Sequence, residues 1–134
     1  MDELEVIRKK KMDQLKKDFS RDMERESFPN SPVTVTDANL KDLVLKYPLI
    51  VVDCWAPWCA PCRRLSPIID QLASEYQGSV VFGKLNTDEN RSTAMNFQIT
   101  GIPAQLVFKN GKLVDQIVGA LPKEQIVQKL MKFM

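Results

Sequence analysis

Leu49-Ile50-Val51-Val52-Asp53-Cys54-Trp55-Ala56-Pro57-Trp58-Cys59-Ala60-Pro61-Cys62 is an apolar run that ends in two thiols two residues apart. Leu49 to Cys54 reads as a central strand, buried on both faces as in parallel sheets. From Cys59 to about Gln77, Leu65, Ile68, Ile69, Leu72, Ala73 and Tyr76 recur with a 3.6-residue period, which predicts a helix. A strand that runs into Cys-x-x-Cys and opens a helix places the first thiol at the helix N-terminus. Free N–H groups and the positive end of the helix dipole stabilise a thiolate there. A thiolate whose neighbour can close a disulfide is the minimum equipment for reversible two-electron exchange.

Outward from this stretch the pattern continues to alternate. Val80 to Leu85 predicts the next strand and Glu89 to Phe97 a shorter helix. Ala104 to Lys109 and Lys112 to Val118 flank Asn110-Gly111, a strong hairpin signal. Lys123 to Phe133 predicts a closing helix with Ile126, Val127, Leu130 and Met131 inward. Upstream, Val33 to Val35 suggests a short strand, and Thr36 is a good N-cap for a helix through about Lys46. Leu40, Leu43, Val44 and Tyr47 form its inward face. Pro67 lies inside the long helix and should kink it by removing one backbone hydrogen bond. The order βαβαβαββα predicts an α/β fold, a mixed central sheet with helices on both faces.

Phe28-Pro29-Asn30-Ser31-Pro32 divides the chain into an extension, 1–31, and a domain, 32–134. Glu3 to Glu26 is rich in charge and free of Gly and Pro, with Leu4, Ile7, Met12, Leu15, Phe19 and Met23 along one helical face. The predicted amphipathic helix is roughly 35 Å long. Its stripe can pack on its own domain or on a second copy, recognise a partner, or belong to a disordered arm.

Composition narrows the chemistry. At 134 residues the chain can bury one core without disulfide staples, and an odd count of three Cys argues against a secreted disulfide framework. A net charge of +2 gives no reason to expect nucleic acid or an anionic membrane. No apolar run approaches the roughly 18 residues that span a bilayer. Asp2, Glu3 and Glu5 come first with no apolar region after them, unlike a signal peptide, so a cytoplasmic setting is expected. The chain has no His, which removes Ser-His-Asp and Cys-His nucleophiles and any His-containing zinc site. Cys54, Cys59 and Cys62 reproduce part of an iron–sulfur ligand spacing, but a fourth Cys is missing. Cys54 reads as a small buried hydrophobe.

From about Val33 to Met134 the chain resembles the thioredoxin family. The resemblance rests on Val52 to Cys62, Pro67, Lys84 with Asn86 and Asp88, Gly101-Ile102-Pro103, Phe108-Lys109-Asn110-Gly111 and Gly119-Ala120. It implies a thioredoxin fold, reduction of client protein disulfides, and recycling by a thioredoxin reductase, with no cofactor or metal. Three departures stand out: Ala60 where Gly is usual, Cys54 where an aromatic is usual, and the N-terminal helix.

Cys59, at the exposed helix start, is the expected nucleophile. A free thiol of pKa about 8.5 is only about 3 % ionised at pH 7. Lowering its pKa to ambient pH gains thiolate about 16-fold but costs about fivefold in intrinsic reactivity. Acidity must therefore matter at least as much in making Cys59 a good leaving group when Cys62 resolves the mixed disulfide. Asp53 is the nearest candidate base for Cys62. The strand pattern alone leaves open whether it is buried with a raised pKa or faces outward, and the resemblance favours the buried base. The resemblance also implies that Lys84 approaches Asp53 and moderates its charge, that Pro103 is cis, and that the Cys59–Cys62 pair closes as the disulfide. Trp58, Gly101, Ile102, Pro103 and Gly119 are expected to receive an extended client segment. Trp55 is expected to pack beneath them, and Ala60 and Pro61 to influence the redox potential.

Overall fold

A computed structural model describes residues 2–134 of the chain. Its elements are α1 (Glu3–Glu26), β1 (Val33–Val35), α2 (Leu40–Lys46), β2 (Leu49–Trp55), α3 (Ala60–Glu75), β3 (Val81–Asn86), α4 (Arg91–Asn96), β4 (Ala104–Lys109), β5 (Lys112–Val118) and α5 (Lys123–Met131). The five strands form one sheet in the order β1-β3-β2-β4-β5. β1 and β2 both run parallel to β3, whereas β4 runs antiparallel to β2 and to β5. The mixed α/β sheet read from the element order is therefore the architecture.

Alternation along β2 sends its side chains to two different cores. Leu49 and Val51 join Leu65, Ile69 and Leu72 of α3 and Ile126 and Leu130 of α5 on one face. Ile50, Val52 and Cys54 join Val44 of α2 and Leu106 and Phe108 of β4 on the other. Phe97 at the end of α4 closes this second face, edge-on to Phe108 with ring centroids 5.5 Å apart. Asp53 points to the α3 side and is 1 % exposed. Burial of both faces is why β2 lacks the polar alternation of a solvated strand.

One local expectation holds and two change. Thr36 closes the turn that leads into α2 with the bonds of a capping box: its Oγ1 accepts from the Asn39 amide at 3.2 Å, Asn39 Oδ1 accepts from the Thr36 amide at 2.7 Å, and its carbonyl accepts from the Leu40 amide at 3.0 Å. Regular α2 follows from Leu40, with the Asn39 carbonyl accepting from the Leu43 amide at 3.0 Å. Met131 is exposed rather than inward, since the buried stripe of α5 ends at Leu130. The apolar stripe of α1 does not pack on its own domain: Leu4, Ile7, Met12, Leu15, Phe19 and Met23 are all 44–65 % exposed.

Only the C-terminal end of α1 is fastened. Gln77 Nε2 donates to the carbonyls of Arg25 and Glu26 at 3.1 Å each and of Phe28 at 2.9 Å. Phe28 then packs edge-to-face on Tyr47, with ring centroids 5.2 Å apart. At the far edge, Asn110 and Gly111 both take positive φ, which the two-residue hairpin turn requires.

Candidate active site

The site is built where β2 leaves the sheet. The Cys59 amide donates to the Ala56 carbonyl at 3.1 Å, closing a turn that reverses the chain before α3. The Cys59 carbonyl then accepts from Arg63, so Cys59 is the N-cap of α3. Its side chain fills the position that Ser or Asp usually holds, and Sγ accepts from the Cys62 amide at 3.3 Å. Pro61 fits in this first turn because its missing N–H would have had no partner there. The two cysteines, with Cα atoms 5.3 Å apart, form a disulfide. Cys59 is 4 % exposed and Cys62 1 %, so the first sulfur faces the surface more than the second.

The loop before β4 closes the site from the other side. The Ile102–Pro103 peptide bond is cis, and the Ile102 carbonyl oxygen lies 3.8 Å from Cys59 Sγ. Ile102 and Trp55 pack on a small cluster of Ala56, Cys59 and Cys62. Pro103 is buried, and its carbonyl accepts from the Gly119 amide at 2.8 Å. Gly119 sits at φ +98°, a conformation that other residues reach only under strain, and open space lies where a Cβ would point. Gly101 likewise faces open space. Trp58 is 68 % exposed, and its indole Nε1 donates to both carboxylate oxygens of Asp88 at 3.1 and 3.3 Å. Cys59, Trp58, Gly101, Ile102, Pro103 and Gly119 thus gather at one end of the sheet. Ala60 is exposed beside them.

Beneath the disulfide lies a cavity of about 250 Å³ lined by Asp53, Trp55, Cys62, Arg63, Ser66 and Lys84. Burial raises the Asp53 carboxyl from 3.8 to about 7, with Lys84 and then Gln105 pulling it back down. Lys84 is paired with Asp53 in the β2–β3 register and Gln105 in the β2–β4 register. Neither polar atom of the Gln105 amide makes a hydrogen bond, nor does Asp53 Oδ1, so Gln105 acts on Asp53 as a nearby dipole. The Lys84 ammonium is bound elsewhere: Nζ donates to Ser66 Oγ at 2.6 Å and to Asp70 Oδ1 at 2.7 Å. Cys54 faces the opposite core. Burial, reinforced by the neighbouring Asp53 charge, pushes its thiol up to about 12, and it is inert as a nucleophile near neutral pH.

The contacts of four residues here are not foreseen from the sequence, although one of them, Asp88, is among those that carry the resemblance. Ser66 and Asp70 follow Cys62 at four and eight positions, a helical repeat that places them on its face of α3. That spacing was a usable signal. Asp88 and Gln105 come from other elements, and no local pattern couples them to Trp58 or Asp53. Among the described residues no group of three or more His, Cys, Asp or Glu side chains converges as a metal site. No helix among them is long and apolar enough to cross a membrane.

The comparisons with known proteins agree with this geometry. The Thioredoxin family model matches residues 31–132. The chain is 46 % identical over 101 residues to a thioredoxin of Synechocystis, covering 75 % of this chain and 94 % of that one. It is 48 % identical over 96 residues to thioredoxin 2 of Chlorobaculum tepidum, covering 71 % and 88 %. A solved structure, a single-residue mutant of a thioredoxin from Halobacterium salinarum, superposes with a TM-score of 0.75 at 26 % identity, covering 80 % and 94 %. A family match that spans all five strands, with relatives 46 and 48 % identical over most of their length, leads to one conclusion: the chain belongs to the thioredoxin family.

Proposed function

We propose that the chain is a protein-disulfide reductase in which Cys59 attacks and Cys62 resolves. The carrying observation is the closed Cys59–Cys62 pair, one sulfur toward the surface and the other facing the cavity that holds Asp53. In the reduced form the Cys59 thiolate attacks one sulfur of a client disulfide and displaces the other as a thiolate, which takes up a proton. Asp53, near pKa 7 and sharing a cavity with Cys62, accepts the Cys62 proton through water. The Cys62 thiolate then attacks Cys59 Sγ and releases the second client thiol. Two electrons pass to the client, and the Cys59–Cys62 disulfide remains. A thioredoxin reductase, in a cytoplasmic setting, is read as the source of electrons for the next cycle.

The open backbone around Gly101, Ile102 and Gly119 suits an extended client strand, with Trp58 as an apolar wall. Ala60 and Pro61 set the helix start and through it the redox potential. In this reading 32–134 is the catalytic unit and 1–31 an appended one. Capture of mixed disulfides on Cys62→Ser tests the scheme. Adducts through Cys59, lost in the Cys59→Ser, Cys62→Ser double variant, are expected, and their absence with oxidised clients present refutes it.

A second reading concerns the extension alone, favoured by six exposed apolar side chains in one stripe. We read α1 as an association surface, for a second copy or a partner helix. Sedimentation of the intact chain alone and with candidate partners, against a Leu15→Asp, Phe19→Asp variant, tests it. Association lost in the variant is expected, and identical monomeric behaviour of both chains in every mixture refutes it.

A further inference from the structure

A buried charge is ordinarily paired, yet Lys84, in register with Asp53 across the β2–β3 ladder, forms its ion pair with Asp70 and not with Asp53. Ser66 and Asp70, one and two helical turns past Cys62, take its ammonium at 2.6 and 2.7 Å. We propose that Ser66 and Asp70 are positioning residues: they hold the Lys84 ammonium to α3, so that Asp53 remains a free proton acceptor beneath Cys62. This deepens the base role given to Asp53 above and rests on it.

Three observations carry the inference. Ser66 lines the same cavity as Asp53, Cys62 and Lys84, so a change at its hydroxyl acts where the proton is exchanged. Asp70 is half exposed, and a solvated ion pair of this kind is too weak to hold a lysine by itself. The Ser66 hydroxyl is therefore needed to fix a long, flexible lysine stem in one place. Asp53 Oδ1 has no hydrogen-bond partner, the condition in which a released ammonium would swing to it.

The groups facing Asp53 are few. Lys84 comes from β3, Gln105 from β4, and Cys62, Arg63 and Ser66 from α3. Arg63 is held off by its bond to the Pro57 carbonyl at 2.9 Å. Lys84 is thus the cation whose position sets the basicity of Asp53. Locked against Lys84, Asp53 would titrate lower and be a poorer base toward a thiol.

The test follows the Asp53 side-chain carboxyl by carbon-13 NMR against pH in the reduced full-length chain, beside the pH profile of mixed-disulfide resolution. Ser66→Ala alters no charge, and is expected to move the Asp53 midpoint down by about one unit and the resolution profile with it. Ser66→Thr, which keeps the hydroxyl, is expected to stay at the wild-type midpoint, and Asp70→Asn to shift in the same direction as Ser66→Ala. An unchanged or raised midpoint in both Ser66→Ala and Asp70→Asn overturns the inference. Asp53→Asn is the control for the underlying reading: if it resolves mixed disulfides as fast as wild type, the base role fails, while the Ser66 titration still reports the tether on its own.

Discussion

Asp53 carries a cost in stability that follows from its burial. Its carboxyl titrates at about 7 in the native chain, against 3.8 when solvated. Between those values the unfolded chain holds fewer protons than the folded one, so stability falls as pH rises through the window. Three units at about 1.4 kcal/mol each put the loss at about 4 kcal/mol above pH 7. Asp53→Asn should therefore be more stable than wild type at pH 8, with the gap closing toward pH 4. Urea unfolding of both proteins at the two pH values checks this, and equal midpoints at pH 8 would show an ordinary surface carboxylate. A residue retained at such a cost fits a role in chemistry rather than in packing.

Single residues also show where sequence reasoning succeeds and fails. Cys59 at a helix start was legible because the strand, the thiol spacing and the helical period are consecutive in the chain. The burial of Asp53 was not legible from β2 alone, because α3 and the neighbouring strands β3 and β4 that enclose it lie elsewhere in the chain. Met131 was misplaced because a period continues past the last residue that meets a partner. Thr36 was legible as a cap because its partners, Asn39 and Leu40, lie three and four residues on.

At the scale of elements, β1 and β3 touch so closely that Gly83 has no room for a side chain. A Cβ there would collide with the Val35 side chain and crowd the Val33 carbonyl. Gly83→Ala should destabilise the domain by about 1–3 kcal/mol through overpacking, measured by chemical denaturation. Retained stability would mean that β1 can slide. The contrasting case is α1, which buries none of its residues and is fastened only at its C-terminal end. Removing 2–26 should leave the denaturation midpoint of the domain and its disulfide reductase rate within about twofold of wild type, since apolar burial sets stability and α1 adds little. A large loss of either would mean that α1 belongs to the catalytic unit. The bounds of α1 were readable because its charges and period are local, whereas the exposure of its stripe was not. Periodicity marks an apolar face without naming what covers it.

Across the whole molecule, the site falls where the sheet changes direction. β2 has a parallel neighbour, β3, on one side and an antiparallel one, β4, on the other. Its C-terminal end therefore opens beside the Ile102–Pro103 loop instead of another crossover, the kind of crevice in which α/β sheets bind ligands. One face of the sheet holds the Asp53 cavity under α3, and the opposite face is closed apolar core containing Cys54. The two thiol classes of this protein are thus separated by the sheet itself. That separation gives the most direct test of the account, the pH dependence of alkylation of the reduced chain, read cysteine by cysteine by mass spectrometry. Cys59 should react first, with a midpoint below the free-thiol value of about 8.5, while Cys62 lags and Cys54 stays unmodified in the folded protein. Alkylation of Cys62 or Cys54 ahead of Cys59, or a Cys59 midpoint at or above that of a free thiol, would contradict it.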